Sequence, residues 1–176
     1  MEPFFSFQRM DFHQKRERKI YIIENKDTFW SFKRNVMDLS SSLDPDMLIY
    51  GEGKKIISSF RFVTEYEVHA REDTFFYFGD LDAEGINIFC ELAGKYQEYW
   101  IIPFTEGYQA ILTEGMKRGL LKTPKHQSVR EDNIQFFIKA FRCDDAMQIR
   151  ELLDAGNYIP QEALNASGMK ERFAGA

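Results

Sequence analysis

The sequence predicts an α/β fold, with a four-stranded parallel sheet flanked by helices and extra helices at the carboxyl end. Three observations carry this reading. Four short apolar runs, Ile20-Tyr21-Ile22-Ile23, Met47-Leu48-Ile49-Tyr50, Thr74-Phe75-Phe76-Tyr77-Phe78 and Tyr99-Trp100-Ile101-Ile102, do not alternate with polar residues, which is the pattern of strands buried on both faces. The stretches between them are long enough for the crossover helices that parallel neighbours require, and they carry helical spacing. The final third shows further apolar stripes at helical spacing.

Taken in order, residues 1–18 lack a sustained apolar period and end in the charged run Lys15-Arg16-Glu17-Arg18-Lys19, so no fold is assigned to them and they read as an extension or the tail of a missing upstream segment. The first strand is placed at 20–24 and a helix at 28–39, where Phe29, Phe32, Val36 and Leu39 fall three and four residues apart. A strand at 47–50, a helix at 54–66 and a strand at 74–79 follow. Ile86, Phe89, Cys90 and Ala93 mark a helix at 84–96, and a strand at 99–103 closes a β/α core spanning 19–105. Residues 106–176 read as a mainly helical part packed on that core. Within it, one stripe is Ile134, Phe137, Ile138 and Phe141, and another is Met147, Ile149, Leu152 and Leu153. Asp145 with Gln148 has the form of a capping box, and Gly156 suits a helix end.

Composition limits the function classes. With 176 residues, 44% of them hydrophobic and 15% aromatic, the chain has ample apolar surface for one core, which argues against disorder. The net charge of −5 argues against a generally basic nucleic-acid-binding surface, so contacts with nucleic acid would need local basic patches or metal ions. Cys90 and Cys143 form no C-x-x-C pair, and His13, His69 and His126 are scattered, which disfavours zinc. No apolar run approaches the roughly 20 residues of a membrane helix. A soluble, cytoplasmic protein without a membrane contact is expected.

The sharpest feature is the turn Gly79-Asp80-Leu81-Asp82-Ala83-Glu84-Gly85 after the most aromatic strand, because ligand sites of open α/β sheets form at the carboxyl ends of strands. In extended backbone, residues i and i+2 point the same way, which puts Asp80 and Asp82 on one face and Leu81 toward the core. Glu24 ends the first strand and stands near this turn if the two strands are neighbours. Crowded carboxylates repel, and magnesium relieves that repulsion with an all-oxygen shell. The alternative is that the aspartates cap the next helix, and one Asp can do both.

Within this β/α order, Ile22-Ile23-Glu24-Asn25-Lys26-Asp27-Thr28-Phe29 and Tyr77-Phe78-Gly79-Asp80-Leu81-Asp82-Ala83-Glu84-Gly85-Ile86 resemble the Toprim fold of topoisomerases, primases and certain nucleases. They look most like the carboxy-terminal domain of the JetD-type nuclease subunit of Wadjet anti-plasmid systems, a relative of the topoisomerase VI A subunit. The resemblance implies DNA cleavage, with Mg2+ or Mn2+ held by Glu24, Asp80 and Asp82 and with Glu84 of the same turn as a further ligand. Its implied partners are DNA, a condensin-like complex and a second copy of the chain. Counterparts of the family's winged-helix and arm regions are not seen, so the sequence reads as a fragment or a reduced relative. With them goes any candidate for the topoisomerase-type catalytic Tyr, which favours hydrolysis by metal-bound water. The alternatives are a catalytically silent nucleic-acid-binding or assembly domain, a component of topoisomerase-like strand passage, and a phosphotransfer receiver, which the second Asp of D-x-D disfavours.

Basic residues supply candidate phosphate contacts. Lys54 follows the second strand in Gly51-Glu52-Gly53-Lys54-Lys55, which is either a phosphate-approaching loop or a plain tight turn. Lys117, Arg118, Lys122, Lys125 and Arg130 fall in a stretch from 117 to 130 without an acid, which is either a DNA-backbone footprint or a solvated loop. Gln161-Glu162 resembles a Gln-Glu pair near the family's carboxyl end, while Pro160 equally marks a helix start.

Overall fold

The computed structural model describes residues 2–38, 40–124 and 127–175. Five strands, β1 (Phe5–Gln8), β2 (Lys19–Ile23), β3 (Met47–Tyr50), β4 (Thr74–Phe78) and β5 (Trp100–Pro103), form one sheet in the order β1-β3-β2-β4-β5. The last four are mutually parallel and β1 is antiparallel to β3. Ile20, Ile22, Ile23, Phe75, Tyr77 and Phe78 are fully buried, which accounts for the unbroken apolar runs of the two central strands.

The four expected strands are all present, and the fifth comes from the segment left without a fold. Phe5 and Phe7 alternate with Ser6 and Gln8, and both aromatic rings pack on Phe29 and Trp30. A period of two over four residues is too short to stand out beside the charged run that follows. Nor is that run a solvated tail. Arg18 is 1% exposed and forms an ion pair with Asp73, itself 0% exposed, at 2.6 Å. The guanidinium also donates to the carbonyls of Phe12 and Glu67 and lies over the Phe12 ring, while Asp73 accepts from the backbone N–H groups of Arg18 and His69.

Helices cover the sheet. Asn25 starts α1 (Lys26–Phe32) by accepting from the N–H groups of Asp27 and Thr28, and a π-helical turn over Lys33–Met37 continues it. Leu39 of the predicted stripe lies outside the described residues. The single helix expected at 54–66 is instead the short α2 (Lys55–Ser59) followed by a 3-10 helix over Phe60–Tyr66. In a 3-10 helix residues three apart eclipse, and this buries both Phe60 and Val63, while the aromatic and β-branched run has little propensity for an α-helix.

The remaining helices are α3 (Ala83–Lys95), α4 (Thr105–Arg118), α5 (Glu131–Ile138), α6 (Cys143–Asp154) and α7 (Ala166–Phe173), with a small ribbon of β6 (Leu121–Lys122) and β7 (Asn157–Tyr158). The Phe137 ring lies 5.6 Å from Phe89 and 5.1 Å from Tyr108, and Phe173 lies 5.7 Å from Phe104, so one core extends through the carboxy-terminal helices. The capping box expected at Asp145 is not formed. α6 begins two residues earlier, and Asp145 accepts instead from the Gln109 amide at 2.6 Å. Met147 of the second stripe is exposed, and Gly156 ends the helix at φ +67°, as its type suggests. No helix among the described residues is long and apolar enough to cross a membrane.

Burial alone would raise the Asp73 pKa, but the Arg18 hydrogen bonds, the N–H donors of His69 and Arg18 and the guanidinium charge outweigh it and hold the carboxyl below its ordinary value. A lowered native pKa adds stability that is present above the unfolded value near 4 and is lost as pH falls through the native one. Asp73→Ala strands a buried guanidinium and is expected to cost about 3–5 kcal/mol at pH 7. The variant should also lack part of the wild-type loss of stability below pH 4, as read by urea denaturation at a series of acid pH values.

Candidate functional site

In-register pairing of β2 with β4 sets Ile23 opposite Phe78, so Glu24 and Gly79 leave the sheet side by side at its carboxyl edge. The Glu24 N–H donates to the Phe78 carbonyl at 3.0 Å, and the Gly79 N–H donates to the Tyr108 hydroxyl at 3.0 Å. Glu24 Oε2 accepts from the buried Tyr77 hydroxyl at 2.6 Å. A Cβ at position 79 would collide with that carboxylate oxygen, so glycine leaves the space that Glu24 occupies.

Beyond Gly79, Asp80 Oδ1 accepts from the Gln161 backbone N–H at 2.7 Å. Leu81 is fully buried, as expected, and exchanges two backbone hydrogen bonds with Ile159, at 2.9 and 3.2 Å. Asp82 is extended, at φ −143° and ψ 177°, and its Oδ1 accepts from the Gly85 N–H at 2.7 Å as the N-cap of α3. The capping alternative is thus realised for Asp82, at the same edge as Glu24 and Asp80.

The electrostatics of the edge follow from burial and like charge. Burial pushes Glu24 up to about 7, with Asp80, Asp82 and Glu84 adding to the rise and the Tyr77 hydrogen bond opposing it. Burial also raises Asp80 to about 6, with help from Asp82 and Glu162 and against the Gln161 N–H donor. Asp82 is raised by burial, against the Gly85 N–H donor. This is a concentration of negative charge that a cation would relieve. Among the described residues no three His, Cys, Asp or Glu side chains converge on one ion position. The donor chemistry fits a hydrated magnesium ion, which takes one or two carboxylates directly and keeps several waters.

Other predicted residues divide. Glu84 turns to Lys54, its Oε1 3.2 Å from Nζ, and Gly51–Lys55 forms a tight turn in which Glu52 and Gly53 have positive φ. Lys54, Glu84, Asn87, Gln127 and Ser128 line a cleft of about 210 Å³ beside the start of α3. Lys117 and Arg118 pair with Glu114, and Lys117 opens instead on a cleft with Leu164 and Glu171. Arg130 pairs with Asp132, and Lys122 reaches the Ala155 carbonyl at 3.5 Å. Lys125 and His126 lie outside the described residues. Lys117 and Arg130 thus line different clefts. The sequence does not mark Tyr77 and Tyr108, because a tyrosine reads the same whether its hydroxyl meets a carboxylate, a backbone N–H or neither.

Sheet, helices and acidic edge together define an α/β protein whose acidic cluster sits at the carboxyl ends of two adjacent parallel strands. Residues 4–100 match the family described as Wadjet protein JetD, C-terminal. That span is more than half of the 176 residues, and the chain belongs to this family, which links it to the Wadjet system. No curated protein matches the chain.

The raised pKa of Glu24 means that the native state holds more protons than the unfolded chain between about pH 4.5 and 7, so stability falls as pH rises through that window. Glu24→Gln fixes the neutral form. The variant is expected to be about 1–3 kcal/mol more stable than wild type at pH 8 and little different at pH 4.5. Urea denaturation in a metal-chelating buffer at the two pH values checks this.

Proposed function

We propose that this chain is a metal-dependent DNA nuclease module of a Wadjet anti-plasmid assembly, with a Toprim-like arrangement of its acidic residues. The carrying observation is that Glu24, Asp80 and Asp82 stand at one sheet edge, two of them with pKa values raised to about 7 and about 6, at strand ends within the matched span. In this reading Glu24 and Asp80, with Asp82 beside them, hold Mg2+ or Mn2+. A bound ion of this kind polarises a phosphoryl oxygen and lowers the pKa of a coordinated water. The protein's own part is orientation. Tyr77 fixes one oxygen of Glu24, Gln161 fixes one of Asp80, and the α3 cap fixes Asp82. The cleft beside Lys54 and Ser128 offers a polar path for a phosphate backbone.

The rival reading is a silent assembly or nucleic-acid-binding domain. It is favoured by the internal hydrogen bond that each carboxylate already makes and by the ion pairs of Lys54, Lys117, Arg118 and Arg130 with neighbouring acids. Partners of the active reading are DNA and a condensin-like complex, with a second copy of the chain completing the assembly.

Magnesium binding separates the readings. An ion at about 100 times its Kd adds about 2.7 kcal/mol to the stability of the native state. Melting temperature should therefore rise along a magnesium or manganese series. Asp82→Asn keeps a capping side chain and should fold normally, yet its metal response should shrink, and plasmid cleavage by the complete assembly should be lost. Identical metal responses in the two proteins would remove Asp82 from the site, and no response in wild type would leave the silent reading.

A further inference from the structure

We infer that Gln161 is a positioning residue of the acidic site, a clamp that holds the ends of β2 and β4 so that Glu24 and Asp80 face the same ligand. The inference rests on the reading of this edge as a cation and phosphate site, and it concerns a segment outside the matched residues 4–100.

Gln161 is fully buried, and both ends of its side-chain amide are used. Nε2 donates to the Phe78 carbonyl at 2.7 Å, and Oε1 accepts from the Asn25 N–H at 2.9 Å. Its backbone N–H donates to Asp80 Oδ1 at 2.7 Å. Asn25 directly follows Glu24, and Phe78 lies two residues before Asp80, so one side chain ties the backbone next to both acids. The Phe78 carbonyl also accepts from the Glu24 N–H at 3.0 Å, which commits both of its lone pairs. Asn25 is held again through its side chain, which donates to Glu162 Oε1 at 2.5 Å and accepts from the first turn of α1. The paired backbones of Leu81 and Ile159 extend the same contact past Asp80. Residues 159–162 thus form a third side of the site, after β2 and the 79–82 turn.

Glutamine is suited to this position by chemistry. The Phe78 carbonyl needs a donor and the Asn25 N–H needs an acceptor, and a primary amide supplies both in one plane. Methionine has similar length and neither function. Asparagine has both functions and one methylene less reach.

The test is a titration with Mn2+ alone, following the free-ion electron paramagnetic resonance signal, on the full chain as wild type, Gln161→Met and Gln161→Asn. Phe137→Leu serves as a control that loosens the core away from the edge, with melting temperatures measured for all four. Gln161→Met is expected to bind Mn2+ at least tenfold more weakly than wild type, with a smaller loss in Gln161→Asn and none in the control. A loss in Gln161→Met no larger than in the control overturns the proposal. So does failure of both Gln161 variants to fold, which would make the residue part of the fold alone. If wild type takes up no Mn2+, the cation reading of the edge fails and this inference falls with it, whereas equal uptake by wild type and Gln161→Met removes only Gln161.

Discussion

In-register parallel pairing of β2 with β4 is the constraint on which the acidic edge depends. A shift of one residue would send every side chain of one strand to the opposite face of the sheet, and with Ile20, Ile22, Phe75 and Tyr77 packed on one face and Ile23 and Phe78 on the other such a shift is strongly opposed. The same register places Glu24 beside Gly79, brings the Tyr77 hydroxyl to the carboxylate and leaves Asp80 two residues beyond the strand pair. The side-chain geometry of the edge is therefore inherited from core packing. Gly79 is where the two requirements meet, because its missing side chain is the volume that the Glu24 carboxylate fills.

The two ends of this strand pair treat buried charge in opposite ways. At the amino end, Asp73 meets Arg18 and four further hydrogen bonds join them to the backbone, so the carboxyl is held low. At the carboxyl end, Glu24 is partly buried with Asp80, Asp82 and Glu84 as its charged neighbours, and its pKa is driven up. A buried charge without a counter-charge is costly, so one end of the molecule is stabilised by the pairing that the other lacks. An edge built in this way is poised to take a proton or a cation.

Much of this was readable in the sequence, for a physical reason. Strands buried on both faces leave unbroken apolar runs, and a D-x-D turn directly after one of them shows its acids without any knowledge of pairing. The five-strand order and β1 were not readable, since four residues of alternation carry little weight and Arg18 looks like any surface arginine until Asp73, 55 positions away, is brought to it. The same limit governs the site. Glu24, Asp80 and Asp82 announce themselves by residue type at strand ends, whereas Tyr77 and Tyr108 are aromatic residues among many. Gln161 offered only a neighbouring Glu as a sign. The basic stretch from 117 to 130 reads as a unit because it is continuous in sequence, yet Lys117 lines one cleft and Arg130 another.

The hydrogen bond between Asn25 and Gln161 spans 136 residues of chain. During synthesis, β2, β3, β4 and β5 all emerge well before the segment that closes over their ends. At typical elongation rates of about 5–20 residues per second, several seconds separate the arrival of β4 from that of Gln161. Through that interval the nascent chain has its strands and its acids but lacks their last anchor. A prematurely terminated product would lack it permanently, so the geometry of the acidic edge reports whether translation has run past residue 161.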